Sequence, residues 1–152
     1  QSCHTGQHLR ACTDNIKSRL DLWNVLAKVP SSSYTDNNTP LYWMDFGNTK
    51  TAGQVVLGTV PKKIKQPVST MYETVGSLKV ITRFVKYARV KEVDSGPSCS
   101  LAEALEKQDL FINSTLAQLG CNILWKMFRH GMIEHHGLFL NLETMKVNPI
   151  GV

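Results

Sequence analysis

The stretch Ile112-Asn113-Ser114-Thr115-Leu116-Ala117-Gln118-Leu119-Gly120-Cys121-Asn122-Ile123-Leu124-Trp125-Lys126-Met127-Phe128-Arg129-His130-Gly131, followed by Gly137-Leu138-Phe139-Leu140-Asn141-Leu142, decides the class of fold. Ile112, Leu116, Leu119, Ile123 and Met127 recur at the spacing that gathers apolar side chains on one side of an α-helix. A helix is therefore expected from about Asp109, with Arg129 and His130 as a basic last turn and Gly131 as its C-cap. Cys121 falls inside this helix and reads as a core residue. The period then changes, and Gly137 to Leu142 and Met145 to Ile150 read as two strands around a Glu143-Thr144 turn. Mixing of helices and strands makes α/β the expected class.

Upstream of this stretch, Gly96-Pro97 is a turn, and Ser100 with Glu103 forms an S-x-x-E capping box for a short helix from Leu101 to about Lys107. Leu78 to Val90 fits either a strand or a basic amphipathic helix, with helix slightly favoured, and Lys62 to Ser77 reads as loop. Leu41 to Phe46 and Gln54 to Val60 read as strands joined by a turn over Gly47 to Gly53, the second closed by Pro61. Ser31 to Pro40 is a polar loop. From Asp14, a good N-cap, Ile16, Leu20, Trp23 and Leu26 mark an amphipathic helix that Pro30 stops. Residues 1–11 are polar and poorly patterned, so one domain is expected over residues 12–152. Cys3, His4, His8 and Cys12 offer metal-ligand types in that first segment, but Gly6 disrupts a helical arrangement of them and a chance cluster is the simpler reading.

The chain has 152 residues, 42% of them hydrophobic, which suffices for one core and falls short of two. Lys and Arg number 17 against 12 Asp and Glu, a modest basic bias centred on Pro61-Lys62-Lys63-Ile64-Lys65. A nucleic-acid surface is disfavoured because no aromatics are interleaved with those lysines. With no apolar run of membrane-spanning length and no signal-peptide pattern, a soluble, cytoplasmic protein is expected. Cys3, Cys12, Cys99 and Cys121 form no C-x-x-C pair, so reduced thiols and no zinc are expected. Asp45-Phe46-Gly47 matches a kinase tripeptide without the motifs that give it meaning, and is set aside.

Two places carry candidate chemistry. Cys99 lies between a Gly-Pro turn and a capped helix, where free N–H groups of the first turn stabilise a thiolate. Such placement can lower a thiol pKa from about 8.5 to roughly 3.5–7.5. The alternative is a buried cysteine packed as a small hydrophobe. In Cys12-Thr13-Asp14-Asn15-Ile16-Lys17-Ser18-Arg19, a carboxylate, an amide and a guanidinium fall within two helical turns. Asp14 can simply cap the helix, Asn15 satisfy a turn, and Arg19 pair with Asp14 or a glutamate elsewhere. Together they can instead hold Mg²⁺ and polyphosphate, a carboxylate supplying a hard oxygen ligand and the arginine a planar fork for phosphate.

The order of these segments resembles the ThiF, MoeB and HesA group of adenylyltransferases, relatives of the ubiquitin-activating enzymes. Cys12-Thr13-Asp14-Asn15 with Arg19 looks like the family's C-T-D-N-x-x-x-R helix start. Gly53-Gln54-Val55-Val56 looks like its G-Q-V strand. Pro97-Ser98-Cys99-Ser100-Leu101 looks like the P-x-C-T-[IL] segment of the thioester-forming branch, with serine for threonine. Gln108-Asp109-Leu110-Phe111-Ile112-Asn113, Leu124-Trp125 and the run from Gly137 resemble the ThiF-like members of bacterial PRTRC systems, so that the likeness extends from Cys12 to Val152.

The resemblance implies a mixed sheet with flanking helices, the carboxyl-terminal part of a Rossmann-like adenylation domain. It implies ATP and Mg²⁺ as cofactors, with Asp14 as the Mg-ATP carboxylate, Asn15 beside it, Arg19 as a supporting residue and Cys99 as the nucleophile. It implies a ubiquitin-like partner whose C-terminal carboxylate is adenylated, a conjugating-enzyme-like partner, and a homodimer. The family's glycine-rich nucleotide loop lies upstream of C-T-D-N, and the residues preceding Cys12 supply no G-x-G-x-x-G. This chain by itself is therefore expected to bind ATP poorly. Two further readings compete: a non-catalytic module binding a ubiquitin-like or conjugating-enzyme-like partner, and, more weakly, a basic protein contacting nucleic acid through Lys62 to Lys65 and Lys79 to Lys91.

Overall fold

Strands Tyr42–Asn48 (β2) and Ala52–Thr59 (β3) form an antiparallel hairpin whose consecutive residues are buried on both sides, as a strand covered by two layers requires. In this computed structural model, residues 8–11, 16–28, 40–60, 64, 66, 68, 75–83 and 108–152 are described. The other elements are His8–Ala11 (β1), Ile16–Ala27 (α1), a 3₁₀ turn at Ile81–Arg83, Ile112–His130 (α2), His135–Asn141 (β4) and Lys146–Gly151 (β5). The sheet order is β1-β2-β3-β4-β5, with β1 parallel to β2 and the remaining pairs antiparallel. The expected mixed sheet with flanking helices is present.

Alternation along the strands feeds two cores. Tyr42, Met44, Val55, Leu57, Leu138 and Leu140 point to one face and pack with Ile112, Leu116, Ile123, Leu124 and Met127 of α2. Trp43 and Val56 point to the other, where Leu26, with Ile16, Leu22 and Trp23 of α1 partly buried around it, closes a smaller core with Val60, Ile81 and Ile150. Trp23 stacks on Trp43 at a centroid distance of 6.1 Å. The α2 helix lies close to the sheet at Gly120, where a Cβ would come within 2.5 Å of the Phe46 ring. Its end is set by Gly131, at φ 72° in the left-handed region, whose N–H bonds to the Met127 carbonyl at 2.9 Å.

The segment 75–80 is fastened to the sheet by side chains. Thr59 Oγ1 donates to the Leu78 carbonyl at 2.7 Å, and the Tyr42 hydroxyl donates to the Val75 carbonyl at 3.3 Å. Burial removes water from the Tyr42 phenol and raises its pKa above the ordinary value. His136, 1% exposed, places Nδ1 2.6 Å from the Leu57 carbonyl, so that nitrogen carries the proton. On β5 the Val152 N–H points inward to the Glu134 carbonyl. Alternation then turns position 149, a proline, toward the side with no neighbouring strand among the described residues.

Several expectations need correction. The poorly patterned first segment supplies β1, because pairing with β2 stabilises a strand that HLRA does not announce by pattern. Leu20 is exposed at 37%, and Leu22 replaces it on the inner side of α1. Cys121 is exposed rather than core, since Gly120 takes the position nearest the sheet. Residues 78–80 are irregular and Ile81–Arg83 forms one 3₁₀ turn, so neither strand nor α-helix occupies that part of the ambiguous stretch. The expected helix from Leu101 to Lys107 and the Ser100–Glu103 capping box lie outside the described residues.

Candidate functional site

The first helix leaves β1 after Ala11 and begins at Ile16. The connection thus runs from the C-terminal end of a strand paired in parallel to the N-terminus of a helix, the place where open sheets with parallel strands commonly bind ligands. Asp14 and Asn15 belong to this connection by sequence and lie outside the described residues, as do Cys99 and the lysines at 62, 63 and 65. Cys3, His4 and Cys12 lie outside them too. Arg19 is the one expected site residue whose surroundings are defined.

Arg19 points inward from α1. Its Nε stands 3.2 Å from Oδ1 of Asp45, with the two side chains 14% and 0% exposed. Its Nη2 donates to the Phe46 carbonyl at 2.5 Å. One side chain therefore ties the second turn of α1 to both a side chain and the backbone of β2. The buried carboxylate requires a cation and the guanidinium supplies it, while the carbonyl takes a further N–H. Arg19 thereby fixes the angle at which α1 leaves the sheet, and so the position of the first turn that the 12–15 connection enters. Asp45, set aside in the sequence as part of an incidental tripeptide, is its partner. A carboxylate within an apolar strand was the signal that a buried cation had to face it.

The first turn of α1 contains no acidic side chain and does contain Lys17. No carboxylate within that turn offsets the positive end of the helix dipole, which suits an anion such as phosphate. Gly53-Gln54-Val55-Val56 lies within β3, beside β2 in the register Gly47↔Gln54 and Asp45↔Val56. Of the segments with chemical interest, Gly53-Gln54-Val55-Val56 therefore lies one strand away from Asp45, with Arg19 between α1 and β2.

A separate groove of about 440 Å³ lies where α2 ends and β4 begins, with Asn122, Lys126, His130, Glu134 and His135 around Ile123. It belongs to the α2 side of the sheet, across from Arg19. No group of three or more His, Cys, Asp or Glu side chains is arranged to hold a metal ion among the described residues. Among them, no helix is long and apolar enough to cross a membrane. No protein-family model matches the chain, and no curated protein matches it.

Proposed function

We propose that this chain is part of an ATP-dependent adenylyltransferase that activates the C-terminal carboxylate of a ubiquitin-like protein. The observation that carries this reading is the β1–α1–β2 unit. A parallel strand pair is joined through a helix, C-T-D-N falls in the strand-to-helix connection, and Arg19 locks that helix onto β2. On this reading the domain is Rossmann-like, the N-terminus of α1 receives phosphate, and Asp14 holds Mg²⁺ with Asn15 beside it. ATP supplies the leaving group: a carboxylate oxygen of the ubiquitin-like protein forms a bond to the α-phosphorus, and the bond from that phosphorus to pyrophosphate breaks. In the second step the Cys99 thiolate forms a bond to the acyl carbon and AMP departs, leaving a thioester. A conjugating-enzyme-like protein is the acceptor that this thioester would serve.

The test is ATP–pyrophosphate exchange by the full-length product of the reading frame, with its ubiquitin-like protein. Asp14→Ala is expected to reduce exchange by at least about 100-fold, on the scale at which a metal-held charge contributes to a transition state. Cys99→Ala is expected to leave exchange intact and abolish the thiol-sensitive conjugate seen on non-reducing gels. Exchange unchanged by Asp14→Ala would reject the assignment of the site.

A further inference from the structure

The groove between the end of α2 and the start of β4 is lined by groups that the adenylation chemistry does not use. Its volume of about 440 Å³ lies within the range of small-molecule sites, about 300–1,000 Å³. Ile123 and Ile133, 7% and 9% exposed, make its deepest part apolar, and Met132, 43% exposed, gives it an adaptable wall. Another wall is one face of α2. Asn122, Lys126 and His130 follow one another at intervals of four residues, so they stand in a row with a rise of about 6 Å from each to the next. Glu134 and His135 enter from beyond the Gly131 C-cap, where the chain turns into β4.

Lys126 and Glu134 thus bring opposite charges into one groove without forming an ion pair with each other, and among the described residues neither forms one elsewhere. The two charges are ordered along the helix. Glu134 follows the C-terminal end of α2, where the helix dipole is negative, and both favour a cation there. The ammonium of Lys126 and, a turn further back, the amide of Asn122 favour a carboxylate. A phosphate or a dicarboxylate would set negative charge against Glu134 and the negative helix end. A simple amine would leave Lys126 unanswered. We propose that this groove binds a free apolar α-amino acid as its zwitterion, with its carboxylate toward Lys126, its ammonium toward Glu134 and its side chain on Ile123 and Ile133. His130 and His135 add ring nitrogens that can donate or accept at the rim.

The assignment is independent of the adenylation chemistry, and heteronuclear NMR titration of the chain with L-leucine tests it. Two analogues each lack one charge: isocaproate has no ammonium and isoamylamine has no carboxylate. Leucine is expected to bind with a dissociation constant of about 1 mM or below, the scale open to so small a ligand, and to shift amides within residues 122–135. Each analogue should bind at least about tenfold more weakly, because one charge of the groove is left without its partner. Lys126→Met should weaken leucine at least about tenfold while isoamylamine binds no less well, and Glu134→Gln should weaken leucine while isocaproate binds no less well. Both side chains are exposed, and unchanged far-ultraviolet circular dichroism verifies that the variants fold. No shift in excess leucine, shifts centred outside the groove, or inorganic phosphate bound there as tightly as leucine would each overturn the proposal. So would variants that weaken leucine and both analogues alike.

Discussion

Arg19 and Asp45 carry more of the architecture than their sequence neighbours suggest. Removing one partner of a buried pair leaves the other charge uncompensated, at a cost of about 3–5 kcal/mol. Asp45→Ala is therefore expected to lower the urea midpoint substantially. Arg19→Met combined with Asp45→Leu should be less damaging than Asp45→Ala, because the double change leaves no charge stranded; equilibrium unfolding of the two variants checks the ordering. Tyr42 gives a prediction in pH. Its folded-state pKa is raised by burial, so the unfolded chain ionises first as the solution becomes alkaline. The stabilisation is complete below the unfolded value of about 10 and is lost as pH rises through the higher folded value. Tyr42→Phe should flatten stability above about pH 10 relative to the parent, read by denaturation across that range. Arg19 was legible as a helix residue of interest, but its partner was not. Which side chains face each other across layers is a matter of register and helix rotation: of Ile16, Leu20, Trp23 and Leu26, three do line the inner side of α1 and only Leu20 faces out, but that period does not say that Arg19 turns inward onto Asp45.

Among the elements, α2 was the easiest to read and β1 the hardest. The long helix writes its buried side as a repeating pattern and ends at a glycine in the left-handed region. The hairpin of β2 and β3 and the closing strands β4 and β5 were also legible, because their alternating or continuous apolar runs are bounded by turn residues. The first strand has four residues and owes its existence to its neighbour, a contact separated by all of α1 in sequence. Gly120 illustrates a packing constraint that no periodicity reveals. Gly120→Val should push α2 away from Phe46 and destabilise the fold by about 1–3 kcal/mol, the usual cost of overpacking. Phe46→Leu added to Gly120→Val should restore part of that loss, and thermal unfolding of the single and double variants measures the coupling. The start of α1 was legible from Asp14 and the spacing that follows it, whereas the helix's place after a strand paired in parallel became apparent only from the topology.

At the scale of the whole molecule, β3 is the middle strand and is covered from both sides, by α1 and its neighbours on one and by α2 on the other. Opening it exposes both cores together. Hydrogen exchange should therefore be slowest for Val55, Val56 and Leu57, with amides of β5 exchanging faster, as expected where local opening needs less disruption than global unfolding. Mass-resolved exchange of peptic fragments gives the ranking directly. The two outermost strands also differ in kind. Endless strand-by-strand growth requires every molecule to offer an open border at each end of its sheet, so that each addition creates the next landing place. Among the described residues the outward row of β5 runs through positions 147, 149 and 151, and its middle place is Pro149, which has no N–H to offer an incoming strand. That gap makes this border a poor landing place for a further strand, and so a poor place for filament growth to begin.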